Sequence, residues 1–230
     1  MTLKNIPASI RHRLLNKAKA ENRPFSELLQ YYAIERFLYR LSKSAHADRF
    51  ILKGALMLRV WRSPESRPTM DIDMLGRTSN VESEIAAQMR DILSTNVEPD
   101  GLVFDASTIR TERIAEDADY EGVRVEFIGE LESARVSMRV DIGFGDVVVP
   151  GPELSELPTV LDLAAPRLLC YSRDSTVAEK FEAMLKLGEL NSRMKDFYDV
   201  WLLCRYFDFD GATLAEAVRQ TLEKRGTPVR

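Results

Sequence analysis

An α+β body with helical additions at both ends is predicted by three features of the chain. Helix-period segments run from Ile10 to Leu41, strand-period segments follow the turn signals at Glu98-Pro99-Asp100-Gly101, and helix periods return from residue 176. The first helix is marked by Ile10, Leu14, Leu15 and Ala18, and the second by Phe25, Leu28, Leu29, Tyr32, Leu38 and Leu41, after the Asn22-Arg23-Pro24 break. Phe50-Ile51-Leu52 is a short apolar run ending at Lys53-Gly54, where glycine permits close backbone approach, and 55–61 reads as a brief helix. Met70, Ile72 and Met74 alternate with Asp71 and Asp73 as in a strand, and Val81, Ile85, Met89, Ile92 and Leu93 restore a helix period. Strands are expected over 103–114, 122–129 and 135–144, the last two as a hairpin. A proline-punctuated connection (Pro150, Pro152, Pro158, Pro166) leads to an apolar segment at 168–171, and helices are expected at 176–190, 195–206 and 213–224.

With 230 residues, 45% apolar and 30% charged, the chain carries enough aliphatic surface to build a core. No apolar run approaches the ~18 residues that span a bilayer, and the opening residues lack the apolar centre of a signal peptide, so a cytoplasmic protein without membrane contact is expected. Cys170 and Cys204 have neither a CxxC partner nor a nearby histidine and are expected to be buried free thiols. The formal charge of −4 is uneven: through Arg49 there are ten Lys and Arg against four acids. A basic segment on an acidic body suits a polyanion, although a basic helix can equally be a solvated face.

Asp71-Ile72-Asp73 is the sharpest chemical feature. Residues i and i+2 of a strand share a face about 6.6 Å apart, so two carboxylates would stand side by side with Met70, Ile72 and Met74 in the core. A divalent cation relieves such repulsion; a solvated acidic strand face is the alternative. Val136, Met138, Val140 and Ile142 form an apolar face that leaves Ser137, Arg139 and Asp141 opposite. Asp141 either supplies a third carboxylate of the kind Mg²⁺ favours or ends a strand. Thr176 to Glu179 fits a capping box, which would put Lys180 in the first turn of a helix, where it contacts a bound anion or covers apolar neighbours. Asp196 and Asp199 share a helical face. His12 and His46, the only histidines, are expected at the surface, which leaves little material for a histidine triad or three-histidine metal site. The P-loop and Rossmann glycine patterns do not occur.

Five ordered segments resemble the AbiEii/AbiGii type IV toxin nucleotidyltransferases, a branch of the DNA polymerase β-like superfamily: Phe50-Ile51-Leu52-Lys53-Gly54-Ala55, Arg67-Pro68-Thr69-Met70-Asp71-Ile72-Asp73, Arg139-Val140-Asp141, Ala178-Glu179-Lys180-Phe181-Glu182-Ala183 and Arg193-Met194-Lys195-Asp196-Phe197-Tyr198-Asp199. The resemblance implies a nucleotidyltransferase-like mixed sheet flanked by helices. It divides the chain into a basic helical segment packed on the body (1–48), a catalytic core (49–158) and a mainly helical part completing the active site (159–230).

It also implies that Asp71, Asp73 and Asp141 bind Mg²⁺, that Lys53, Gly54, Arg67, Thr69 and Lys180 hold the nucleotide, and that Lys180 and Asp196 belong to the catalytic set. Relatives carry Gly-Ser or Gly-Gly where this chain has Gly54-Ala55, which removes a hydroxyl contact to phosphate. The implied activity is transfer of an NMP from an NTP to an acceptor hydroxyl, at the 3′ end of tRNA, by the toxin of a toxin–antitoxin or phage-defence system with a separately encoded antitoxin. Asp141 is the expected aid to deprotonation, and Arg11, Arg13 and Lys17 are candidate RNA contacts. An inactive binding module, or transfer to a protein or a small molecule, are the competing readings.

Overall fold

The computed structural model describes residues 5–64, 68–117 and 120–228; Arg67 lies outside them. Two helices open the chain, α1 (Ile6–Glu21) and α2 (Phe25–Lys43). Asn22 closes α1 in the left-handed conformation, at φ 51°, and Pro24 then precedes α2. β1 (Phe50–Lys53) runs through a 3₁₀ turn at Gly54–Leu56 into the short α3 (Met57–Val60). β2 (Ile72–Gly76), α4 (Glu82–Leu93), β3 (Val103–Asp117), β4 (Tyr120–Leu131) and β5 (Ala134–Phe144) follow. The remainder is β6 (Glu153–Glu156), β7 (Arg167–Cys170), α5 (Arg173–Leu187), α6 (Met194–Tyr206) and α7 (Gly211–Arg225).

The strands form one sheet in the order β3-β4-β5-β2-β1-β7-β6. β2 pairs parallel with β5, β1 parallel with β7, and the other neighbours are antiparallel, so the sheet is mixed as the resemblance implies. The expected hairpin is β4–β5. β6 departs from expectation: the proline-rich connection contains a strand that pairs with β7 between Pro152 and Pro158.

Alternation divides the central strands into two faces. Ile72, Met74, Val123, Val125, Val136, Met138, Val140 and Ile142 are buried in the main core together with Leu14 of α1 and Phe37, Leu38 and Leu41 of α2. Phe37, Phe104 and Phe127 pack with ring centroids 5.3 to 6.3 Å apart. Residues of the opposite parity carry the polar chemistry. Within the core layer, Arg40 of α2 grips Asp100 through two hydrogen bonds of 2.7 and 3.1 Å and also donates to the Leu102 carbonyl, fixing the α4–β3 connection against α2.

Three expectations about single residues do not hold: Met70, expected in the core with Ile72 and Met74, precedes β2 and is exposed. Cys204 is exposed, because α6 turns Leu202 and Leu203 inward. His46 is buried rather than superficial, 3.1 Å from an Asp91 carboxylate oxygen. Among the described residues no helix is long and apolar enough to cross a membrane.

Candidate active site

Asp73 and Asp141 are opposite one another in the parallel β2–β5 ladder. Paired positions on neighbouring strands are about 4.8 Å apart, and both carboxylates line one cleft of about 400 Å³. Lys53 is the antiparallel partner of Asp73 on its other side. The chain then turns at Gly54, whose φ of +73° is one that residues with a Cβ rarely adopt. A Cβ there would overlap the Asp73 carboxylate, so glycine is needed both for the turn and for the approach of backbone to acid.

Asp71, expected on the strand beside Asp73, lies just before β2. The β2–β5 ladder begins at Ile72↔Val140; beyond it the Gln30 side-chain amide, reaching over from α2, donates to the carbonyls of both Met70 (3.3 Å) and Ser137 (3.1 Å). Asp71 therefore precedes the strand. Its side chain is half exposed, 3.8 Å from Arg139, and borders a neighbouring hollow instead of the cleft. Among the described residues no cluster of three metal-ligating side chains forms.

Arg124, from β4, is the residue that sequence reasoning missed most clearly. It pairs in register with Asp141 and holds both carboxylate oxygens at 2.8 Å; these hydrogen bonds raise its own already high pKa. An arginine alternating with valines reads in sequence as a solvated strand face, so no signal beyond its parity pointed to it.

Lys180 lines the cleft but not from a helix N-terminus. Ser172 caps α5, its Oγ accepting from the Ser175 N–H at 3.0 Å, so the helix starts earlier than the capping-box pattern suggests and Lys180 lies two turns in. Its ammonium is held by Asp196 (2.7 Å) and Asp199 (2.9 Å) from α6, the two acids expected to share a face. Asp199 is almost fully buried, which makes this pair of helices one charged unit.

Behind Lys53 is a second ionic cluster. Its ammonium donates to Asp146 (2.9 Å) and Glu179 (3.3 Å), Arg225 of α7 bridges Asp146 and Glu182, and the Tyr171 hydroxyl donates to Glu179 at 2.7 Å. Burial pushes the Asp146 carboxyl up, but Lys53 and Arg225 beside it outweigh that and hold it below the usual range. Glu179 goes the other way: burial raises its pKa against the pull of Lys53. Of these residues the sequence reading named Lys53 alone as a site residue, although Glu179 stands next to Lys180 in one of its motifs.

The remaining expected site residues are dispersed. Thr69 does not line the cleft; its backbone N–H donates to the Tyr31 hydroxyl. On α1, Lys17 pairs with Glu21 (3.0 Å), and Arg11 stands 3.8 Å from Glu132 with its guanidinium over the Phe25 ring, so much of the expected basic stripe has local partners.

The donor set can be tested against a divalent cation. Asp73 and Asp141 present hard oxygen ligands side by side. Four of the cations lining the cleft, Lys53, Arg124, Lys180 and Arg225, already carry carboxylate partners. A polyphosphate entering the cleft thus meets little uncompensated positive charge, and a cation on the aspartate pair would supply it. Asp73 and Asp141 fit such a group, and Asp71 stands just before them on the chain with a half-exposed carboxylate.

Two crystal structures from Helicobacter pylori share the fold. JHP933 is 11% identical, with a TM-score of 0.51 over 86% of this chain and 75% of that one. A protein described as a candidate nucleotidyltransferase is 14% identical, with a TM-score of 0.52 over 86% and 78%. No curated protein matches the sequence. Residues 36–230 match the model of the family described as nucleotidyl transferase AbiEii toxin, type IV TA system, and a match over that much of the chain identifies the protein as a member of this toxin nucleotidyltransferase family.

Proposed function

We propose that the protein moves an NMP from an NTP to an acceptor hydroxyl at the 3′ end of tRNA, with Mg²⁺ as its cation. In this reading it is a toxin whose product tRNA can no longer be charged, restrained by a separately encoded antitoxin and serving in phage defence. The observation that carries the reading is the in-register pair Asp73 and Asp141 beneath the Gly54 turn, in a cleft shared with Lys53 and Lys180.

In the reaction the acceptor oxygen bonds to the α-phosphorus while the bond to the bridging oxygen breaks, and pyrophosphate leaves. A divalent cation held by Asp73 and Asp141 supplies Lewis-acid activation and charge neutralisation at the phosphates when bound. The Gly54 turn lets backbone approach the phosphates without a side chain, a task the missing hydroxyl at Ala55 leaves to peptide N–H groups. Lys53 and Lys180, each held by two carboxylates, are positioned donors that need no reordering as charge develops on the leaving group. The acceptor proton goes to a carboxylate. Asp71, half exposed and touched by Arg139 only at 3.8 Å, is available for it, Asp141 being committed in this reading to the cation and to Arg124.

The test is incubation of purified protein with Mg²⁺, total tRNA and each α-labelled NTP in turn. Label on tRNA with the wild type and none with Asp73→Asn supports the reading. NTP binding without labelled tRNA would remove tRNA as acceptor, and no NTP binding would leave a binding module in its place.

A further inference from the structure

A second hollow, of about 770 Å³, lies on the same face of the sheet. Ser137 and Arg139 on β5 have the parity of Asp141, and their partners on β4, Ile128 and Glu126, have the parity of Arg124. The hollow therefore adjoins the Asp73–Asp141 row, two residues or about 6.6 Å along the strands, on the side where Asp71 stands. The cleft extends the other way, to Ile114, and across β1 to α5 with its lysine.

The hollow's outer wall is built rather than frayed. The β3–β4 ladder shifts register between Asp105 and Arg110. Within that bulge Thr108 Oγ1 accepts from the Ile128 N–H at 3.0 Å, and Asp105 accepts from both the backbone N–H (2.9 Å) and the hydroxyl (2.6 Å) of Ser107. Bulges beside active sites commonly re-aim side chains, and this one carries Arg110 to the hollow.

We propose that this hollow receives the terminal nucleotide of the acceptor, a single-stranded RNA end bearing a 3′-hydroxyl. The inference rests on the nucleotidyl-transfer reading. Displacement at phosphorus needs the attacking and leaving oxygens in line, so an acceptor must arrive on the side of the aspartate row opposite the pyrophosphate. With Lys53 and Lys180 marking the polyphosphate side, the hollow occupies the other. Its chemistry suits a nucleotide: guanidinium groups of Arg110 and Arg139 for a phosphate, Met70, 44% exposed, as an apolar ledge for a base, and the Ser107 and Ser137 hydroxyls for sugar or base edges. Arg139 now shares its charge with Glu126 at 3.0 Å, so a phosphate competes for a donor that is already oriented.

Ser137→Trp fills the hollow from an exposed position, and Arg110→Glu reverses its charge at another. Fluorescence anisotropy with a short single-stranded RNA ending in a 3′-hydroxyl, with NTP binding measured in parallel, reads the two sites separately. The expected result is RNA binding weakened by about tenfold or more in each variant, with NTP affinity unchanged. RNA binding equal to wild type in both variants, or no RNA binding by the wild type, overturns the proposal, including the case where label from an NTP appears on a protein instead. Failure of the underlying reading shows independently, as loss of NTP binding in the wild type.

Discussion

Two arginine–aspartate pairs in this molecule have nearly the same chemistry and different consequences. Arg40 and Asp100 form a two-pronged pair whose side chains are 8% and 4% exposed, and Arg40 also donates to the carbonyls of Arg36 and Leu102. Arg124 and Asp141 form another, but at 27% and 15% exposure, with a second aspartate across the ladder and an open cleft in front. The first pair is almost fully buried and holds α2 to the β3 approach. The second leaves carboxylate and guanidinium facing a volume where charge can be received. The contrast teaches that an ion pair becomes a site through what stands beside it.

Breaking the closed pair has the largest expected effect. Arg40→Ala leaves Asp100 buried without its partner and should cost about 3 to 5 kcal/mol in urea denaturation. Arg124→Ala, part-exposed, should cost under about 1 kcal/mol. Equal losses would dissolve the contrast.

Glu35 sharpens it from the other side, as a buried acid on α2 that is incompletely compensated. Burial, opposed by a hydrogen bond from the Val160 N–H and by Arg36, pushes its pKa up to about 7 from 4.5. The native state then retains a proton that the unfolded chain has released. Glu35's contribution is therefore complete below pH ~4.5 and lost as pH rises through ~7, a swing of about 3 kcal/mol. Glu35→Gln should gain stability relative to wild type across that window; a constant difference from pH 4 to 8 would refute the assignment.

At the open pair, Asp73→Asn should lower transfer on the order of a hundredfold while leaving the urea midpoint almost unmoved. Gly54→Ala, at a φ of +73° and against Asp73, should cost about 1 to 3 kcal/mol and impair the same activity. Unchanged transfer in Gly54→Ala would show that the turn is not part of the site.

The polar face of the sheet was largely legible in the sequence, because a period of two sets Asp73 and Asp141 opposite the apolar residues of their strands, and five ordered motifs resemble the family. What escaped depends on partners distant along the chain. Gln30 is 40 residues from Met70, and its amide, not any feature of Asp71-Ile72-Asp73, ends the ladder before Asp71. Arg225 reaches Asp146 across 79 residues. Ser172 caps α5 with a single hydroxyl, a weaker sequence signal than the Thr176–Glu179 pattern that competed with it. β6 escaped because prolines bracket it, and an edge strand tolerates them.

The central claim concerns which group is transferred, and parallel reactions with α-labelled and γ-labelled NTP test it most directly. Nucleotidyl transfer at the Asp73–Asp141 row predicts that the acceptor keeps the α-label and that the γ-label leaves with pyrophosphate. An acceptor carrying the γ-label and no α-label would mean phosphoryl transfer and would contradict the account.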